Sequence, residues 1–153
     1  MFSALKKFLG GAEKKEILAP VSGKVIPMSQ VADPTFSQEI LGKGRIVAPA
    51  SGEVVVMFET KHAVSIKADN GAELIVHIGL DTVNLKGEYF EAHVKQGDRV
   101  KAGDLLVTVD LEKVKDAGYD VTTPVIICNT PDFPDMVCHT GMEVKAQDPV
   151  IEL

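Results

Sequence analysis

Residues 62–78 read HAVSIKADNGAELIVHI, two apolar runs with a histidine at either outer end and Asn-Gly at 70–71 between them. The runs 62–68 and 73–78 are short and rich in Val and Ile, as strands are. Asn-Gly between such runs is a two-residue hairpin signal. It predicts that the strand of 62–68 folds back antiparallel on that of 73–78, bringing His62 and His77 to neighbouring strands. Alternation along an extended chain further predicts Phe58, Thr60 and His62 on one face.

Working outward, more runs of this kind follow, cut at regular intervals by Gly, Pro, Asp and Asn. They are 24–26, 53–58, 105–110 and 124–128. Short helices are expected at 35–40 and at 111–118, the second with Asp110 as its N-cap and Gly118 beyond its end. The segments ILAPVSGKV (17–25) and IVAPASGEV (46–54) echo one another, and a related turn-and-strand unit appears in VKQGDRVKAGDLL (94–106). The pattern predicts an all-β, antiparallel sandwich or flattened barrel, built from hammerhead-like repeated halves with one or two short helices.

The 153 residues fit one domain with a real core. Aromatics are only 5% and tryptophan is absent, so that core has to be aliphatic. The formal charge of −6 argues against nucleic acid as a partner. Residues 1–16 hold four lysines against two glutamates, a net +2 that leaves −8 for the rest. We divide the chain into a basic amphipathic tail, 1–16, and a single domain, 17–153. In a helix, Phe2, Leu5, Phe8 and Leu9 share an arc of roughly 120°. Residues 1–9 then read either as a terminus frayed or docked on the body, or as a peripheral contact with an anionic membrane face. Cys128 and Cys138, ten residues apart, match neither a metal motif nor a disulfide framework and read as reduced thiols of a cytoplasmic protein.

A lone imidazole in an apolar run is ordinarily a satisfied core residue. Two imidazoles with Thr60 and Asp81 converging on them suit three chemistries. The first is phosphoryl acceptance. An imidazole whose Nδ1–H is held by a carbonyl presents Nε2 as nucleophile, while a second imidazole, its tautomer fixed by a hydroxyl, donates to the phosphoryl oxygens. The second is a zinc-dependent hydrolase using His62, His77 and Asp81 with one open coordination position. The third, a swinging-arm carrier, lacks the Met-Lys-Met or Asp-Lys-Ala tip it needs. A purely regulatory binding module is a further alternative.

Taken together, ETKHAVSI (59–66), VHIGLDTVNLKGEYF (76–90), VKQGDRVKAGDLL (94–106) and TPVIICN (123–129) resemble the glucose-specific IIA family of the bacterial phosphoenolpyruvate-dependent sugar phosphotransferase system. The resemblance runs from about Ile17 to the C-terminus. It implies a cytoplasmic antiparallel sandwich that accepts a phosphoryl group from the phosphocarrier HPr and passes it to the IIB unit of a glucose-type permease. By the same resemblance His77 is the acceptor through Nε2, His62 supports onward transfer, Thr60 orients His62, and the carbonyl of Gly79 orients His77. Asp33 and Asp81 are the acidic rim; Phe36, Ile40, Phe58, Ile75 and Val83 are the apolar surround on which HPr and IIB dock. Such transient partners call for an interface of roughly 1,200 Å² or less.

No cofactor is implied beyond the covalent phosphate on His77, with zinc only at an interface shared by His62, His77 and a partner. Regulated permeases or kinases are further candidate partners. The start at Met1 reads as that of a stand-alone IIA protein, and its tail resembles the membrane-contacting N-terminus of free-standing relatives. Two departures stand out. Residues 39–52 are shorter than the family's usual spacing, and Lys43 replaces a commonly acidic residue. His93 and His139 match no functional position.

Overall fold

The computed structural model describes residues 16–26 and 43–153. Residues 1–15 of the tail, the helix expected at 35–40, and Asp33, Phe36 and Ile40 all lie outside them, whereas Glu16, the tail's last residue, is described.

The strands are β1 (Glu16–Leu18), β2 (Gly23–Lys24), β3 (Lys43–Val47), β4 (Gly52–Met57), β5 (Ala63–Ala68), β6 (Glu73–His77), β7 (Phe90–Ala92) and β8 (Arg99–Val100). They continue as β9 (Leu105–Asp110), β10 (Val125–Ile127), β11 (Val137–Cys138), β12 (Glu143–Val144) and β13 (Pro149–Glu152). Every pairing among them is antiparallel. The sheets run β10-β6-β5-β4-β8, β3-β9-β7, β1-β13-β11 and β12-β2. Among the described residues each sheet keeps two edges, so the result is the sandwich rather than the flattened barrel. Register shifts at Val54/Val56, Ile46/Val47 and Ile17/Leu18 bend the ladders locally.

One aliphatic cluster fills the interior. Val54, Val64, Ile66, Leu74 and Val76 come from the five-stranded sheet, Ile46, Val107 and Val109 from β3 and β9, with Phe90 beside them. This inner set fixes the register of the central hairpin. Val64 lies opposite Val76 and Ile66 opposite Leu74, all fully buried. A two-residue turn at 70–71 would slip that pairing by one position and send half of these side chains to solvent. The loop is therefore three residues long, 69–71: Ala68 N–H bonds Ala72 O, and Gly71 N–H bonds Ala68 O. Gly71 takes the left-handed position at φ +100°. The core thus corrects the expected turn, and the expected strand pairing holds.

The repeat is a real structural relation. Leu18 N–H donates to Pro49 O and Val47 N–H to Pro20 O, both at 2.8 Å, so the two Ala-Pro-x-Ser-Gly segments exchange reciprocal bonds. Each receives a matching four-residue turn. In 101–104 the Lys101 amide donates to the Asp104 carboxylate, and in 145–148 Lys145 donates to Asp148, at 2.8 Å in each. Ser51 Oγ and Ser22 Oγ accept from Ala102 and Ala146 respectively. A third such turn, 95–98, bonds Val54. The third residue of these turns is left-handed: Gly97 and Gly103 at φ +93°, but Gln147 at φ +78°. A side chain there costs about 1 kcal/mol. Gln147→Gly should therefore raise the melting temperature by about 2–4 °C; an unchanged or lower value would contradict the strain.

Helix α1 (Leu111–Asp116) lies where expected, with the Asp110 carboxylate accepting from Lys113 N–H at 3.2 Å and Leu111 and Val114 buried. Cys128 and Cys138 are free and exposed. No helix among the described residues is long and apolar enough to cross a membrane.

Candidate functional site

The site forms where β5 and β6 end together. His77 is the last residue of β6 and lies opposite Ala63, with its backbone N–H bonded to Pro124 O at 2.9 Å. His62 immediately precedes β5, and its carbonyl accepts from Ile78 N–H at 2.6 Å. The two rings meet edge to face, centroids 4.9 Å apart at 77°.

The route by which Thr60 joins them differs from the expected alternation. Strand β4 stops at Met57, and residues 58–61 make a turn closed by Lys61 N–H to Phe58 O at 2.8 Å, with Lys61 left-handed at φ +59°. Phe58, Thr60 and His62 therefore converge through a turn rather than along one strand face. The turn brings Thr60 Oγ1 to 2.5 Å from His62 Nδ1, and the Phe58 ring sits edge-on to His62 at 5.4 Å.

His77 Nδ1 lies 2.6 Å from Gly79 O. A carbonyl only accepts, so Nδ1 carries the proton and Nε2 the lone pair. Gly79 has φ +75°, and a Cβ placed there would fall 2.6 Å from Thr82 Cγ2 and 2.9 Å from Asp120 O. Only glycine meets both constraints.

His62 is 5% exposed. Burial, and secondarily the neighbouring His77, lower its pKa below 6.5. The imidazole is thus neutral near pH 7, with Nδ1 in a hydrogen bond to the Thr60 hydroxyl. Titration followed by the ring proton shifts should give a midpoint below 6.5. In His77→Gln the midpoint should rise part of the way back, because burial is the larger cause. A midpoint at or above 6.5 in the parent chain would contradict this. The linkage has a definite sign: between the lowered pKa and 6.5 the unfolded chain binds more protons, so stability rises with pH there. This group's contribution is complete above about 6.5 and is lost as pH falls through the folded value.

Of the residues expected to surround the rings, Phe58 and Val83 are exposed and Ile75 is half-buried. Asp81 is exposed and left-handed at φ +60°. It does not complete a ligand set with the histidines: among the described residues no three of His, Cys, Asp or Glu are grouped to hold a metal. The hydrolase alternative loses its site.

Sequence reasoning missed Ile126, which lies opposite Ile75 on β10 and is 38% exposed, extending the apolar face beside His77. Its run, Val125-Ile126-Ile127, has no alternation from which to choose an outward residue. It also missed Thr82 and Asp120, which pack against Gly79. His93 and His139 lie elsewhere, Nε2 of the first 2.7 Å from Thr108 Oγ1 and that of the second 3.4 Å from Glu152.

Residues 15–133 match the family model described as phosphoenolpyruvate-dependent sugar phosphotransferase system, EIIA 1. The glucose-specific EIIA component of Oceanobacillus iheyensis is 48% identical over 144 residues, 88% of this chain and 87% of that protein. The beta-glucoside-specific EIIBCA component of Bacillus subtilis is 48% identical over 128 residues, 78% of this chain. This chain spans only about a fifth (21%) of the length of that relative. Among solved structures, glucose permease IIA from Mycoplasma capricolum superposes with a TM-score of 0.76 at 39% identity, covering 89% of this chain and 93% of its own. With a match that spans most of the domain and an antiparallel sandwich of the same kind, the chain belongs to the EIIA 1 family of the phosphoenolpyruvate-dependent sugar phosphotransferase system.

Proposed function

We propose that the protein is a phosphoryl carrier that accepts from HPr on His77 Nε2 and donates to a IIB unit. The observation that carries this is the 2.6 Å bond between His77 Nδ1 and Gly79 O, which leaves Nε2 as the free nucleophile. The Nε2 lone pair attacks phosphorus, and the bond from phosphorus to the donor atom breaks with its electron pair going to the donor. The ring keeps its Nδ1 proton against Gly79 O and is formally an imidazolium while it bears the phosphoryl group. That charge makes it a good leaving group for the next transfer. His62 presents Nε2–H to the phosphoryl oxygens, oriented from behind by Thr60.

The apolar face of Phe58, Ile75, Val83 and Ile126, with Asp81 at its rim, suits partners that dock and leave. Asp33, Phe36 and Ile40 are assigned to this surface by resemblance alone. The EIIBCA name of the Bacillus subtilis relative, in which an A unit shares a chain with B and C, supports a IIB partner here. We assign the chain to the cytoplasmic side. Zinc has no part in the transfer. Among the described residues the two histidines offer two of the four ligands a tetrahedral site needs, and we assign any zinc there to an interface with a partner.

The test is incubation with phosphorylated HPr followed by acid and base treatment of the product. An acid-labile, base-stable label is the expected result; a well-folded protein that takes up no label overturns the reading.

A further inference from the structure

We infer that Thr82 is a positioning residue for His77, acting through the carbonyl of Gly79. Thr82 is fully buried and opens a short 3₁₀ turn (Thr82–Leu85). Its hydroxyl donates back to Ile78 O at 2.5 Å. Ile78 is thereby held at both ends, its N–H by His62 O and its C=O by Thr82. The peptide leaving Ile78 sets the left-handed Gly79 (φ +75°) and so the direction of Gly79 O, which holds His77 Nδ1–H. The Thr82 methyl fills the space against the Gly79 Cα, where a Cβ would lie 2.6 Å away. Leu80 N–H completes the clamp by bonding Asp120 O at 2.9 Å. Asp120 is itself fixed by accepting at Oδ1 from Thr122 N–H and Oγ1–H.

Without the hydroxyl, Ile78 O is buried with no partner, and the 78–79 peptide can rotate to find one. Rotation takes Gly79 O out of line with His77, and the ring then populates the tautomer whose proton is on Nε2, which is no nucleophile. Threonine at this position supplies both a donor and a methyl, which neither serine nor valine does alone.

The experiment compares Thr82→Val, which keeps the packing, with Thr82→Ser, which keeps the hydroxyl. The readout is the pair of ¹⁵N ring shifts of His77 at alkaline pH, which report the tautomer directly. The parent and Thr82→Ser should show Nδ1–H alone. Thr82→Val should show a mixture, with phosphoryl acceptance from HPr falling about 10-fold. A parent-like tautomer in Thr82→Val, or a mixed tautomer in Thr82→Ser, overturns the inference. Should Thr82→Val fail to fold, Thr82→Ala, which differs from Thr82→Ser only by the hydroxyl, takes its place: the same mixture is expected, and a parent-like tautomer overturns the inference. The rate prediction rests on the carrier reading, whereas the tautomer does not. A parent chain that takes no phosphate defeats that reading and leaves the positioning role to the ring shifts.

Discussion

His77→Gln should abolish phosphoryl acceptance, lowering the rate of labelling by phosphorylated HPr at least about 10³-fold. Glutamine has no lone-pair nitrogen that can attack phosphorus, so nothing replaces the nucleophile. The fold should survive, because the backbone bond from residue 77 to Pro124 O does not depend on the side chain. Losing the ring's bond to Gly79 O costs about 1 kcal/mol, a fall of about 2–4 °C in melting temperature. No other imidazole is arranged to substitute. His93 and His139 both have Nε2 engaged, by Thr108 and Glu152, and neither has a carbonyl set against Nδ1 in the way Gly79 is for His77. Labelling of purified, folded His77→Gln at the parent rate would sink the assignment of the acceptor.

Sequence brought the two histidines together because the hairpin was legible. The inward residues of 62–68 and 73–78 match as Val-x-Ile against Leu-x-Val, and no other register buries both. Strand β9 likewise came out with its observed bounds, 105–110, since its Val and Leu run ends on the Asp110 cap. Other elements left no such trace. Strands β8, β11 and β12 are two residues long, too short for any period to appear, and of the run expected at 24–26 only Lys24 lies in the two-residue β2. β2 begins at the last residue of the first Ala-Pro-x-Ser-Gly segment, and β8 and β12 adjoin Lys-x-x-Asp turns, whereas β11 is held by its pairing with β13.

The turn at 58–61 was misread as strand for a related reason. Phe58 and Thr60 alternate apolar with polar, yet the chain reverses there because Lys61 adopts a left-handed conformation that its side chain does not advertise. What sequence could not reach was the layer behind the site. Thr82 and Asp120 act through a hydroxyl on Ile78 O and a carbonyl on Leu80 N–H, relations between residues four and forty positions apart that no pattern encodes.

The asymmetry expected of His62→Gln follows from its charge state. In the unphosphorylated chain burial and His77 keep His62 neutral near pH 7, so it offers the incoming phosphoryl group one uncharged N–H. A glutamine amide offers much the same. Acceptance from HPr should therefore stay within about 10-fold of the parent rate. Once the phosphoryl dianion is on His77, a ring whose centroid is 4.9 Å from that of His62 bears a negative group, and this raises the His62 pKa and draws a proton onto it. The donor becomes a cation at the step where the phosphoryl group must leave, and glutamine cannot follow. Onward transfer to IIB should drop roughly 10²–10³-fold, the cost of one charged donor to a transferring group. Its rate in the parent chain should fall as pH rises through the raised pKa of His62, and this dependence should vanish in the variant. Single-turnover measurements of the two half-reactions separate these effects. Equal losses in both, or a pH dependence of onward transfer that persists in His62→Gln, would show that the second histidine does not act by gaining charge.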